Sequence, residues 1–268
     1  QRAARYWGRL RQNRAATLSL CFLAALFAAG LLGPLFVRPT LDVAAGYQPP
    51  MFATVDASIL VECLGEVTNR RCHGTTRYPL GTTFQGRGVL AYTVAAARVP
   101  VVVGLVTGAV VVPLAAGVGT AAAYTGGLLD DLLMRLAEIV QTVPPLVVYI
   151  LVRFVLGDTG DMALLVGVFG LFSWGNVARL VRSEALTRQE ELFVTAARGA
   201  GGSGLYVVTR RILPNVSGTV LAATTLQIPA LILAEVALSF LNLGAPQVRS
   251  WGTIIADGTL GTRWAGMM

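Results

Sequence analysis

Few residues in this chain could do covalent or metal chemistry. There is one histidine, His73, there are three cysteines, Cys21, Cys63 and Cys72, and every one of the 21 basic residues is an arginine. Without lysine the chain cannot build a Walker A loop, whose lysine reaches the β- and γ-phosphates, nor use Schiff-base or Ser-Lys chemistry. A single histidine excludes the HExxH metalloprotease pattern and argues against a multi-histidine metal site. Cys63 and Cys72, in "ECLGEVTNRRCHG", read best as a disulfide closing a short loop, if that loop faces an oxidising compartment. Cys63, Cys72 and His73 as metal ligands lack a fourth ligand and the usual spacing, and two free thiols are the remaining alternative. "GGSG" (201–204) presents Ser203 in a GxSG pattern for which His73 is the only available base. Cys21 lies within an apolar run and reads as a packing residue.

These groups have to be positioned by a chain that is 54% hydrophobic and only 13% charged. Soluble domains carry about 25% charged residues, so the composition indicates an integral membrane protein. Residues 15–37 are free of charge and long enough to span the hydrocarbon core. Arg2, Arg5, Arg9, Arg11 and Arg14 precede them, and excess arginine marks the cytoplasmic side. The N-terminus is therefore expected inside, and an apolar run of this length favours an uncleaved first span over a signal peptide. Residues 38–90 form a polar loop that this topology places outside. A second span is expected in the uncharged run 99–129, with Pro113 and Gly117/Gly119 as kink or close-packing points. "YTGGLLDDLLMR" (124–135) reads as a cytoplasmic turn. Further spans are expected at 132–156, bent at Pro144-Pro145, at 162–178 and at 212–241, with "LGDTGD" (156–161) as an outer turn. Five spans result. The absence of an initial Met suggests that the N-terminus of the gene product is not included.

The topology removes the protease reading, because a base must lie within hydrogen-bond reach of its nucleophile. Ser203 falls on the cytoplasmic face and His73 on the other. No catalytic residue, metal site or cofactor is therefore expected in this chain.

Between spans four and five stands "ELFVTAARGAGGSGLYVVTRRILPN" (191–215). Leu186, Leu192, Phe193, Ala196 and Ala197 recur at helical spacing, which predicts a short amphipathic helix within Ser183–Ala200. Glycines 199, 201, 202 and 204 then permit a sharp turn, and Pro214 suits the first turn of a new helix. A small cytoplasmic helix on a stiff turn between two spans makes sense as a handle for another protein, against the blander reading of a loop resting on lipid headgroups.

Here the chain resembles the membrane-spanning permease subunits of binding-protein-dependent bacterial ABC importers. Their mark is EAA, three residues, Gly, nine residues, then I-x-L-P. Thr195-Ala196-Ala197 stands for EAA, Gly201 is the glycine and Leu213-Pro214 closes the motif; Thr195 replaces Glu and Arg211 occupies the Ile position. "YPLGTTFQGRGVLAYTVAAARVPVVVGLV" (78–106) and "AEVALSFLNLGAPQVRSWGTIIADG" (234–258) are similar to stretches of the dipeptide/oligopeptide/nickel branch, specifically its second permease subunit. Thr83 and Gly88 stand where aspartates are usual in that branch.

The resemblance implies an all-α polytopic fold, the type I importer transmembrane domain, with a sixth span C-terminal to the given segment. It divides the chain into an N-terminus and first helix (1–37), an extracytoplasmic loop (38–90) and a permease core (91–268). A coupling loop at about 183–211 would dock on ATPase subunits that bind ATP and Mg. Leu192 and Phe193 would supply the apolar knob, flanked by Thr195, Ala196, Ala197, Arg198 and Gly201, with Arg198, Arg210 and Arg211 as a charged rim and Leu213-Pro214 at the end. Implied partners are a second, homologous permease subunit, the ATPases, an extracytoplasmic binding protein and the lipid bilayer, but no nucleic acid. The implied location is the bacterial cytoplasmic membrane, and the implied cargo is di- or oligopeptides, with nickel complexes or glutathione as alternatives. An ATP-independent channel or membrane scaffold is the competing class. Glu138, Glu235 and Ser239, within or beside apolar runs, are read as cavity-wall or packing residues.

Overall fold

The computed structural model describes residues 14–37, 48–56, 63–83, 85–157, 162–245 and 248–265. Arg2, Arg5, Arg9 and Arg11, turn residues 158–161 and Met268, on which parts of the expected topology rest, lie outside the described residues. The chain forms two compact units, one of Gln1–Val101 with Ser239–Asn242 and Val248–Met268, the other of Val102–Leu238 with Leu243–Gln247.

In the first unit, α1 (Arg14–Val37) packs against α2 (Val89–Ala96), where Gly33 brings the backbones together: a Cβ there would lie 2.7 Å from the Val94 side chain. The fold is not purely helical, contrary to the all-α expectation. A three-stranded antiparallel sheet, in the order β1 (Thr54–Asp56), β3 (Arg71–His73), β2 (Val67–Thr68), occupies the predicted outer loop. Asn69 and Arg70 take positive φ at the β2–β3 turn, the conformation a tight hairpin requires, and no amphipathic helix competes for these polar residues. The Cys63 and Cys72 sulfurs are joined, with Cα atoms 5.8 Å apart, so β3 is tied to the residues leading into β2.

Two of the family-like stretches meet in this unit. Trp251, opening α11 (Trp251–Ala265), donates from Nε1 to the Thr93 carbonyl at 3.1 Å, and the Tyr92 hydroxyl lies 3.2 Å from Thr253 Oγ1. The Arg87 and Arg249 guanidinium groups lie 5.6 and 5.8 Å from the Tyr92 ring centroid.

The second unit is a helical bundle. α3 (Arg98–Thr125) ends at Gly126, and α4 (Gly127–Thr142) follows with Asp130 in its first turn. α5 (Pro145–Leu156) leaves α4 at 71°. Extended Val143 and Pro144 break the path because a proline ring is incompatible with a preceding helical residue. α6 (Met162–Phe172) and α7 (Trp174–Gln189) join at Ser173. α10 (Leu213–Phe240) runs through Pro229.

Close approach depends on glycine at two crossings. A Cβ on Gly119 would lie 2.5 Å from the Ala178 carbonyl, and one on Gly175 would lie 2.5 Å from the Ala137 carbonyl. Both contacts are well inside van der Waals distance, so α3 and α4 reach α7 only because these side chains are missing.

Among the described residues, three helical stretches are long and apolar enough to cross a bilayer: Val89–Thr125, Met162–Gln189 and Gly204–Phe240. The bent α4–α5 pair makes a fourth if it counts as one span. The expected first span falls on α1, a helix of 24 residues whose apolar stretch Thr17–Gly33 is shorter than the three above.

Candidate coupling site

α7 does not end where the sequence suggested. It continues to Gln189, so residues 183–189 belong to a long membrane helix and not to the small one. Nothing in Ser183–Arg188 breaks the helix, and Arg188 pairs with Glu184 one turn back at 2.6 Å. The small helix is α8 (Leu192–Gly199), preceded by Glu191 in an extended conformation. The Glu191 carbonyl accepts from Val194 N at 2.9 Å, and Arg188 also reaches Glu191 Oε1 at 3.4 Å, fixing the corner between α7 and α8.

α8 has two unlike faces. Val194 and Ala197, three residues apart, are buried in the apolar cluster of Val111, Ala115, Trp174, Val181, Ile212 and their neighbours. Leu192 is 86% exposed, and Thr195, Ala196 and Arg198 are exposed beside it. Phe193 is half-buried and packs against the bundle cluster. Of the two residues expected to form an apolar knob, the structure thus leaves Leu192 outward and turns Phe193 inward. Ala197, expected with the docking residues, belongs to the anchoring face.

The turn that follows is held by main-chain bonds: Ala200 N donates to the Ala196 carbonyl, Gly201 N to Arg198 and Gly202 N to Ala197, each at 3.0 Å. Gly201 sits at φ +80°, a left-handed conformation that a Cβ disfavours. Ser203 then caps α9 (Gly204–Val207), its Oγ accepting from Tyr206 N at 3.3 Å; this is a structural use for the serine of the GxSG pattern. Residues Val208–Ile212 widen into a π turn, and Leu213 N donates to the Val208 carbonyl five residues back. A proline at 214 would clash with the carbonyl four residues earlier in a regular helix, and the wider turn accommodates it in the first turn of α10.

Two further links, one from α8 to the bundle and one within the bundle between α4 and α7, were not legible in the sequence. Arg198 lies 5.1 Å from the Tyr124 ring centroid at the end of α3 and donates to Gln189 Oε1 at 3.3 Å. Arg182 of α7 forms a two-pronged ion pair with Asp130 of α4, both contacts at 2.5 Å. The partners of that pair are 52 residues apart, so only the α4–α7 crossing brings them together. Arg211 lies against its near neighbour Tyr206, donating to the hydroxyl at 3.3 Å.

Glu138 is exposed in a polar hollow of about 510 Å³ with Asp131, Arg179 and Arg182. Glu235 and Ser239 are buried, each 3% exposed. A hollow of about 750 Å³ in the second unit is walled by other groups, Gln141, Ser173, Asn176 and Gln227 being its polar ones. Among the described residues no group of three His, Cys, Asp or Glu side chains could hold a metal ion.

The described residues thus form a multi-pass helical bundle with an anchored, half-exposed helix between two candidate spans. The sequence matches the family described as "Binding-protein-dependent transport system inner membrane component" over residues 113–265. The chain belongs to this family. It is a non-catalytic membrane permease component, similar to the peptide-importer permeases. Residues 2–50 match the "N-terminal TM domain of oligopeptide transport permease C". The oligopeptide transport system permease protein OppC of Mycobacterium tuberculosis is 31% identical over 255 residues, 94% of this chain and 79% of that protein. The corresponding Bacillus subtilis protein is 28% identical, over 93% of this chain and 75% of its own length. The dipeptide transport system permease protein DppC of Lactococcus lactis is 34% identical over 68% of this chain, which spans about half, 53%, of that relative.

Proposed function

We propose that the chain is the second permease subunit of an ATP-driven importer of di- and oligopeptides. It would pair with a homologous permease to form a translocation path, receive cargo from an extracytoplasmic binding protein and engage ATPase subunits through α8. The N-terminus and α8 face the cytoplasm in this reading, and α1 counts as a fifth span. The observation that carries it is the geometry of α8. Val194 and Ala197 key the helix into the bundle while Leu192, Thr195 and Ala196 stay outside. A push on the exposed face is therefore delivered to the packed helices, not absorbed by a loose loop. Motion of the ATPases could rock α7 and α10 through this contact and alternate the access of the path.

The test is Leu192→Asp in the assembled transporter. A buried charge at the docking surface should release the ATPases and abolish peptide uptake, while the permease remains in the membrane at its normal level. Undiminished ATPase co-purification and uptake would remove the docking role. Uptake across a peptide series, with a nickel complex as control, tests the cargo.

A further inference from the structure

The first unit gathers positive charge where α2 begins. No Asp or Glu occurs between Glu66 and Asp130 or between Glu235 and Asp257, whereas those stretches carry Arg70, Arg71, Arg77, Arg87, Arg98 and Arg249. The fold brings two of these arginines, Arg87 and Arg249, to one aromatic ring. Their guanidinium groups lie 5.6 and 5.8 Å from the centroid of Tyr92, within cation–π range. Tyr92 is buried and its hydroxyl is engaged with Thr253. Both arginines are half-buried. Neither side chain makes a hydrogen bond or ion pair among the described residues, and none of their nitrogens is sealed from the surface. Asp257 of α11 senses the charge of Arg87 but forms no ion pair with it. Two like charges held at one ring repel each other, and an anion bound to both relieves that repulsion.

The main chain fixes both arginines. Thr83 N donates to the Arg87 carbonyl at 2.8 Å, and Arg87 N donates to Thr83 Oγ1 at 3.2 Å. Next to Arg249, Ser250 N donates to Thr253 Oγ1 at 3.2 Å and Thr253 N returns a bond to Ser250 Oγ at 3.4 Å.

α1 sets the height of this cluster in a bilayer. A Cβ on Gly30 would meet Ala97 and Val101, and one on Gly33 would meet Val94, so α1 and α2 run antiparallel. Val37, four residues beyond Gly33, therefore falls about level with Leu90, four residues before Val94. The sequence of α1 carries no charge from Ala15 to Val37. At about 1.5 Å per residue that run matches a hydrocarbon core roughly 30 Å thick, so its end marks the headgroup layer. Arg87 and Tyr92 flank Leu90 in sequence and stand at that layer. Trp251, bonded to the Thr93 carbonyl, joins them there, as suits an interfacial aromatic residue.

We propose that Arg87 and Arg249 form a seat for the phosphate of an anionic phospholipid, with Tyr92 holding the two guanidinium groups together. At headgroup depth the abundant anion is the lipid phosphodiester, whose oxygens suit the paired N–H donors of arginine. A lipid so held pins the junction of α2 and α11 to the membrane surface. The inference rests on the placement of α1 in the bilayer, given above, and not on the cargo.

The experiment places the complete transporter in phosphatidylcholine vesicles with a trace of phosphatidylglycerol carrying a photoreactive headgroup, and maps the cross-linked peptides by mass spectrometry. The wild type should be labelled within residues 85–93 and 248–255. Arg87→Gln with Arg249→Gln should lower that labelling about thirtyfold, roughly fivefold for each arginine beside an anionic membrane surface. Arg87→Lys with Arg249→Lys should keep most of it, and Arg249→Gln alone, at about fivefold, serves if the double variant does not assemble. Unlabelled phosphatidylglycerol should compete, and inorganic phosphate at the same concentration should not. Absent labelling of these peptides in the wild type, or undiminished labelling in the Gln variants, overturns the seat. Competition by inorganic phosphate overturns the lipid and assigns the pair to a soluble anion. A second probe, reactive at the end of its acyl chain, should label α1 in the wild type and every variant. Failure there removes the bilayer placement of α1 and is read apart from the headgroup labelling.

Discussion

Gly201 shows how one residue can carry the shape of the coupling site. Its φ of +80° lets the chain reverse after α8 while three main-chain bonds close the turn. Gly201→Ala should cost about 1–2 kcal/mol, the usual penalty for an L-residue held in the left-handed region, whereas Gly201→Asn should cost less. Thermal melting of the detergent-solubilised protein measures the difference. The Asp130–Arg182 pair is the second residue-scale determinant. Losing charged hydrogen bonds of this geometry should cost about 1.5–3 kcal/mol in Asp130→Ala or Arg182→Ala. The double variant should cost less than the sum, and a double-mutant cycle reads the coupling directly. The cysteine pair has a simpler check. A peptide containing Cys63 and Cys72 should be lighter by two hydrogens before reduction than after; equal masses would show free thiols.

At the scale of elements, α7 is the axis of the second unit. It receives α4 at Gly175 and α3 at Gly119, holds Asp130 through Arg182, and turns into α8 through Arg188 and Glu191. Gly175→Leu places carbon against the Ala137 carbonyl and should destabilise the bundle by about 1–3 kcal/mol, the range for overpacking a tight contact. The expected readout is a lower melting temperature and reduced recovery of the assembled complex. Secondary structure from circular dichroism should be retained, because the clash lies between helices and not within one. The division between α7 and α8 was the element the sequence misplaced. Amphipathic spacing continues smoothly across Ser183–Ala200, and the corner at Glu190-Glu191 contains neither glycine nor proline to announce it.

On the scale of the whole molecule, long apolar runs pointed to the long helices, because a single continuous segment in lipid satisfies its own backbone only as a helix. The bend at Pro144-Pro145 and the end of α3 at Gly126 were equally readable, since each depends on the local chemistry of one or two residues. The small sheet was not, because its strands are two or three residues long and their pairing depends on a turn and a bridge, not on periodicity. The candidate coupling loop was found as a motif, yet the motif could not say which side chains face out: Leu192 and Phe193 are adjacent and equally apolar, and only packing separates them.

By itself the sequence determined that this chain is a membrane permease component without catalytic chemistry of its own, because missing lysines, long uncharged runs and the spaced Ala-Ala…Gly…Leu-Pro motif are one-dimensional facts. The tertiary structure decided which face of α8 is free, which ion pair ties α4 to α7, and that Gln141, Ser173, Asn176 and Gln227 line one hollow. Those relations join residues tens of positions apart, and no local spacing encodes them; they exist only where glycine-permitted crossings bring separate helices within hydrogen-bond reach.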